Sequence, residues 1–305
     1  MTQVDFGPFV LGGNTFGWTS DTEESFAVLD AFVAAGGRMI DTADVYSAWV
    51  PGNEGGESET IIGQWLASRG NRDAVLIETK VFQYAKRPGL SAQNIRAAID
   101  DSLRRLHTDY VDVYYAHRDD PDVPQEEYLA AFDELVRAGK VREFGVSEFE
   151  PKRIESAAAI IAENSLTPIT VSQDHFSLLH RDPAGEKFAL LEKLGIVEVP
   201  FWVLENGFLT GKYRPGATVA SKRAESVEQL LADPANVSLL ARLDAVAIEH
   251  RVSVPAVVLA WTRAQGPVAA PIASARIPSQ LDALFESADL GLTPEELAFI
   301  AGESR

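Results

Sequence analysis

Five short apolar runs in this chain end in a polar or titratable residue, and the residue types are those of proton transfer. "RMIDTADVYSAW", residues 38–49, ends its run at Asp41 and carries Tyr46 close behind. "AVLIETK" ends at Lys80, "YVDVYYAH" ends at His117, "EFGVSEF" reaches Ser147 and "ITVSQDHF" reaches Gln173. A free phenol titrates near about 10 and is a weak acid. An ammonium a few ångströms away favours its anion and brings the proton nearer to transfer at working pH. The ammonium needs a buried counter-charge, and a histidine beside it can donate a hydrogen bond to a substrate oxygen. Tyr46 as general acid, Lys80 tuning it, Asp41 anchoring Lys80 and His117 orienting the oxygen form a set able to protonate a carbonyl oxygen during its reduction. Taken singly, each residue has an ordinary structural reading: Asp41 as a turn former, Lys80 solvated, His117 and Tyr46 packed. The shared position gives the set its weight, provided one scaffold gathers the run ends.

Such a scaffold is visible in the order of the elements. Candidate strands start at Phe9, Arg38, Ala74, Tyr110, Glu143, Ile169, Val197 and Val268. Between them lie amphipathic segments with helix punctuation. "TEESFAVLDAFVAAGG" has an acidic first turn and a glycine stop at Gly36; "SAQNIRAAIDDSLRRLH" offers Ser91 as N-cap and a basic last turn. "PQEEYLAAFDELVRAGK" stops at Gly139, and further helical patterns lie near 238–250 and 254–265. Eight strands alternating with helices suit an open doubly wound sheet or a closed barrel. "GGNTFGW" after the first strand lacks the G-x-G-x-x-G of the open dinucleotide-binding sheet. The strand count, the 305-residue length and the lack of a composition break favour an α/β fold: one (β/α)8 TIM barrel over residues 1–305. Its active site is expected at the C-terminal ends of the strands.

The bulk numbers exclude several functions. Lysine plus arginine total 27 against 45 aspartate plus glutamate, a formal charge of −18, which repels nucleic acid phosphates and anionic membranes. There are no cysteines, so disulfides, thiolate metal sites and a cysteine nucleophile are ruled out. The N-terminus has no secretory pattern and no apolar run approaches the roughly 18 residues of a membrane span, so a cytoplasmic protein is expected. The five histidines include no pair at i, i+4 spacing, so no metal is expected.

The segments "DTADVYS", "ETKV", "YVDVYYAHRDD", "LVRAGKVREFGVSEF", "VSQDHFSLLHR" and "GFLTGKY" resemble those of the aldo-keto reductases, in that family's order and over nearly the whole chain. The resemblance places the family's tetrad on Asp41, Tyr46, Lys80 and His117. It implies a nicotinamide cofactor lying extended across the barrel mouth and hydride transfer to a carbonyl. Ser147 and Gln173 match positions that hold the carboxamide, and Phe201 an aromatic that stacks on the nicotinamide ring. Leu204 and Gly207 lie in the loop beside the pyrophosphate, with Lys212 just beyond. "SARIPSQLDAL" matches the adenosine-phosphate segment, where Ser274, Arg276 and Gln280 would contact the anion and Arg276 would favour NADPH over NADH. The chain departs from the family in Glu148, where many members have asparagine. It also departs in "PFWVLE", where many read P-Y-S-P-L-A, and in Ala283 and Leu284 at the adenine.

Loops at a barrel mouth set substrate choice, and here they carry Trp18, Trp49, Phe82 and Trp202. Aromatic walls suit an aromatic, terpenoid-like or sugar-like carbonyl compound. The loop "SAWVPGNEGGESET" is rich in glycine and acid and reads as mobile. A second reading follows from the resemblance, since some members act as cofactor-binding regulatory partners of membrane channels. The intact tetrad and the lack of an added docking region favour the enzyme.

Overall fold

A computed structural model describes residues 4–216 and 224–303. The apolar runs form eight strands: β1 Val10–Gly12, β2 Met39–Asp41, β3 Leu76–Val81, β4 Val111–Ala116, β5 Val141–Ser147, β6 Ile169–Gln173, β7 Val197–Glu198 and β8 Ile272–Ala273. From β1 to β7 each strand pairs in parallel with the next, and β8 pairs with β1. A parallel bridge between Glu198 and Val268 closes the remaining seam. Around this barrel run α1 Thr22–Ala34, α2 Glu57–Arg69, α3 Ala92–Leu106, α4 Gln125–Arg137, α5 Pro151–Asn164 and α6 Glu186–Leu194. They are followed by α7 Ala224–Leu231, α8 Pro234–His250, α9 Val254–Arg263, α10 Leu281–Phe285 and α11 Pro294–Ala301. The chain is a (β/α)8 barrel. None of the described helices is long and apolar enough to cross a membrane.

Strand alternation decides which side chains meet in the centre. Val10, Met39, Val113, Tyr115, Val171, Val199, Ala270 and Ile272 form one apolar cluster inside the barrel. Their sequence neighbours Leu11, Ile40 and Tyr114 join the larger core beneath the helices, as does Phe144 next to Gly145. One step further along, the inward positions become polar: Asp41 is in register with Glu78, Lys80 with Tyr115, and Ser147 with Gln173. The apolar layer therefore carries a polar one above it.

β7 and β8 are shorter than their apolar runs because prolines interrupt them. Pro200 and Pro271 lack the amide that continues a ladder. Pairing resumes past Pro200, where Phe201 donates its amide to the Asp174 carbonyl at 2.9 Å. Ser91 caps α3 as expected, accepting from the Asn94 amide at 3.3 Å. α2 was not visible in the sequence, because its buried face includes Ser58 and Glu59 and breaks the apolar stripe. Glu59 is satisfied there by the Thr79 hydroxyl at 2.6 Å and by Arg105.

Tyr115 crosses the barrel interior because Gly145 on β5 leaves room. A methyl group there would meet the tyrosine ring at 2.5 Å and Val171 at 2.8 Å. Gly145→Ala is therefore expected to destabilise by about 1–3 kcal/mol through overpacking. Chemical denaturation measures this; a midpoint equal to that of the parent would show that the ring has room to move.

Candidate active site

The polar layer brings Asp41, Tyr46, Lys80 and His117 together at the C-terminal end of the barrel. Lys80 has no exposed surface. Its three N–H bonds point to three acceptors: Asp41 Oδ1, the Thr42 carbonyl at 2.8 Å and the Tyr46 hydroxyl oxygen at 2.9 Å. The Tyr46 hydroxyl donates its own proton to Asp41 Oδ2 at 2.8 Å. Amine, carboxylate and phenol thus close a ring of hydrogen bonds. His117 follows β4, with its ring centroid 6.3 Å from that of Tyr46. Its Nδ1 is sealed from solvent without a partner, and burial, then the charges of Lys80 and Arg118, hold the imidazole well below its usual range and neutral.

One expectation is corrected. Lys80 does touch the phenol, but the Tyr46 hydroxyl is pushed well above its ordinary value instead of below it. Burial is the main cause, followed by the charge of Asp41, the hydrogen bond given to Asp41 and the charge of Glu78. One ammonium does not outweigh desolvation and two acids. At rest the group is a firmly protonated phenol.

Glu78 is the residue that sequence reasoning passed over. It lies one inward step before Lys80, a position that strand alternation alone would have marked. Gln173, expected to hold a carboxamide, donates its amide to both Glu78 Oε1 at 3.1 Å and Asp41 Oδ1 at 3.2 Å. Ser147 is buried beside it at the end of β5.

The remaining cofactor candidates line the loops after β7 and β8. The half-buried Phe201 ring stacks on His175 with centroids 5.8 Å apart. Leu204 opens a 3-10 segment, Glu205–Thr210, in which Gly207 takes φ +89°. Lys212 is exposed, its amine 4.9 Å from the Tyr213 ring centroid. Ser274 donates to Asn14 Oδ1 at 2.7 Å, tying β8 to the loop after β1. Arg276 is exposed, and among the described residues neither it nor Lys212 forms an ion pair. Gln280 turns back to accept from the Arg276 amide at 2.8 Å, and the helix beyond, α10, is five residues long. Two unpaired cations, an accessible aromatic and a side-chain-free Gly207 fit an anionic dinucleotide.

The departures from the family pattern are compensated locally. Glu148 pairs with Arg118 at 2.9 Å. Glu205 is buried, accepts from the Ser177 hydroxyl and is hydrogen-bonded to His175 Nε2 at 2.9 Å, so its carboxylate has partners within the protein. Trp18 packs edge-on against Trp49 with centroids 5.7 Å apart, and Trp49 against Tyr46 at 6.1 Å. Ser47 fixes this pair by donating to the Phe16 carbonyl at 2.7 Å, and Asn53 by donating to Gly17 at 3.1 Å. The glycine-rich loop read as mobile is thus tied down, with the Glu57 carboxylate accepting the amides of Glu54 and Gly55. Trp202 is 52% exposed and packs on His175 and Phe201 across the mouth. Phe82 packs partly against the outer core. Backbone strain collects here: Ser47, Phe82, Glu148, Trp202, Glu205 and Asn206 all have positive φ, whereas His107, Ser165 and Arg251 adopt it only as helix C-caps.

The model of the Aldo/keto reductase family matches residues 8–302. An aldo-keto reductase of Strobilurus tenacellus is 32% identical over 98% of this chain and 88% of its own length. An aryl-alcohol dehydrogenase of Pestalotiopsis microspora is 30% identical over 97% and 78%. An aryl-alcohol dehydrogenase [NADP(+)] of Phanerodontia chrysosporium is 30% identical over 96% and 81%.

Asp44, Glu78 and Glu198 are buried acids, each held well above its ordinary carboxyl value first by burial and then by a neighbouring carboxyl. For such a group the folded state binds the proton more tightly than the unfolded chain. Its stabilising share is complete below the ordinary value and is lost as pH rises towards the folded one. Glu198→Gln, which keeps an acceptor for the Asp174 amide, is therefore expected to gain stability relative to the parent as pH rises from the ordinary carboxyl range of about 4–5 through neutral to alkaline pH. Urea midpoints across that range test this, and a constant difference would refute it.

Proposed function

The chain belongs to the aldo/keto reductase family and is an oxidoreductase, and we propose that it reduces an aldehyde or ketone to an alcohol with NADPH. The observation that carries this reading is the buried Lys80 amine in contact with both Asp41 and the Tyr46 hydroxyl. A bound nicotinamide supplies the hydride to the carbonyl carbon. Tyr46 gives its proton to the oxygen as negative charge develops there, and the Lys80 ammonium, 2.9 Å away, offsets the charge left on the phenol. Asp41 and the Thr42 carbonyl keep the ammonium in place. His117, neutral and with its Nδ1 lacking a hydrogen-bond partner among the described residues, donates to the same oxygen and fixes its direction. The raised phenol suits an acid: it keeps its proton through neutral pH and releases it only to a stronger base.

Phe201, Leu204, Gly207 and Lys212 support a cofactor path past β7. Arg276, with Ser274 and Gln280 beside it, supports a phosphate position past β8. The aryl-alcohol dehydrogenases among the relatives agree with the Trp18–Trp49 wall next to Tyr46, and an aromatic aldehyde is the first substrate to try.

Tyr46→Phe is expected to lower kcat/KM for aldehyde reduction by about 10²–10⁴-fold while leaving NADPH binding unchanged; steady-state kinetics with fluorescence titration would reveal any unaltered turnover, which removes the role. Arg276→Ala is expected to weaken NADPH by about 10–100-fold and NADH far less. Equal losses for both nucleotides would exclude a 2′-phosphate contact.

A further inference from the structure

Beneath the tetrad lies a second carboxyl that this proton transfer does not use. Glu78 is the register partner of Asp41 and has no exposed surface. Its Oε1 accepts from the same Gln173 amide that donates to Asp41, and its Oε2 accepts from the Tyr115 hydroxyl at 3.0 Å. Among the described residues, Lys80 is the one cation hydrogen-bonded to this pair of carboxyls, and it touches Asp41 and not Glu78, so two acids stand against one ammonium. No second cation among the described residues acts on Glu78. β2 contributes Asp41, with Tyr46 just beyond; β4 contributes Tyr115 and the neutral His117, and β6 contributes Gln173. β7 contributes Glu198, whose charge reaches Tyr115, while Met39, Val113 and Val171 form an apolar floor.

Resting on the assignment of Tyr46 as the acid, we propose that Glu78 is a positioning residue whose charge, set beside Asp41 through the shared Gln173 amide, keeps the proton on the Tyr46 hydroxyl. It thereby sets the pH range in which the site reduces carbonyls and delays the range in which it oxidises alcohols. No residue alters the overall equilibrium of the reaction; Glu78 alters the proportion of phenol, needed for reduction, to phenolate, needed for oxidation. Gln173 and Tyr115 donate to its two oxygens, which suits the anion, and Lys80 also favours it, while burial, the charge of Asp41 and a hydrogen bond with that carboxyl oppose ionisation. As pH rises and Glu78 loses its proton, a second anion appears beside the phenol and resists the loss of the next one, a coupled titration.

Tyrosinate absorbance of the cofactor-free protein tests this, with the Tyr46→Phe curve subtracted to isolate one phenol. Glu78→Gln keeps the size and one acceptor oxygen and removes the charge. The Tyr46 midpoint is expected to fall by about one pH unit or more, and the alkaline rise of alcohol oxidation to move down with it. Tyr115→Phe deletes the donor that favours the Glu78 anion and is expected to shift the midpoint the same way by less, a second measurement should the first variant not fold. An unchanged midpoint in the folded variants, with Tyr46→Phe inactive, overturns the role of Glu78 and leaves Tyr46 as the acid. Full turnover by Tyr46→Phe overturns both. Lower kcat with unmoved pH profiles would mark Glu78 as structural only and likewise overturn the proposal.

Discussion

A charged amine with no exposed surface must find acceptors for three N–H bonds, and the candidate site is arranged around that demand. Lys80 meets it with one carboxylate, one backbone carbonyl and one phenol oxygen, all from β2 and the turn that follows it. Adjacent parallel strands can supply them because register sets Asp41 one inward step from Lys80. Removing one partner of such a buried pair leaves an uncompensated charge and costs about 3–5 kcal/mol. The site is therefore held by the same electrostatics that would run its chemistry.

The phenol itself follows from a count of charges. A lysine beside a tyrosine suggests an easily lost proton, and the sequence alone supports that expectation. The structure adds what proximity in sequence hides: the pair is out of water, the phenol donates directly to Asp41, and the charge of Glu78 also reaches it. The desolvated phenolate would join two acids around one cation. The ammonium then matters less as a permanent shift on the resting phenol than as a charge already in place when the proton leaves.

The fold and the tetrad were legible because both depend on short-range pattern. Apolar runs of strand length, helix caps such as Ser91 and polar residues at run ends survive in a linear reading. What was hidden depends on pairs far apart in the chain. Glu78 reads as an interior strand residue until Gln173, on β6, is seen donating to it. α2 reads as loop because its buried Glu59 is balanced by Arg105, on α3. The acidic substitutions near the cofactor path read as repulsive until Glu148 meets Arg118 and Glu205 meets His175. Long-range polar compensation leaves no periodic trace.

That compensation also reconciles a chain of charge −18 with the anionic nucleotide proposed for it. Exposed charges beyond a screening length of about 8–10 Å contribute little at physiological salt, so the loops around the mouth decide. There the two acids that would oppose phosphate are paired, while Lys212 and Arg276 are exposed and carry no ion pair among the described residues. The loops that carry them pay for this with left-handed backbone at Glu148, Trp202, Glu205 and Asn206, conformations that a larger side chain adopts only when its surroundings insist. Trp202 is bulky, half exposed and strained, and packs only on His175 and Phe201 among the ring contacts described. Strain held at an exposed aromatic is difficult to explain by packing alone. The proposed carbonyl site offers a reason, since a ring left half exposed beside His175 and Phe201 is free to meet a ligand.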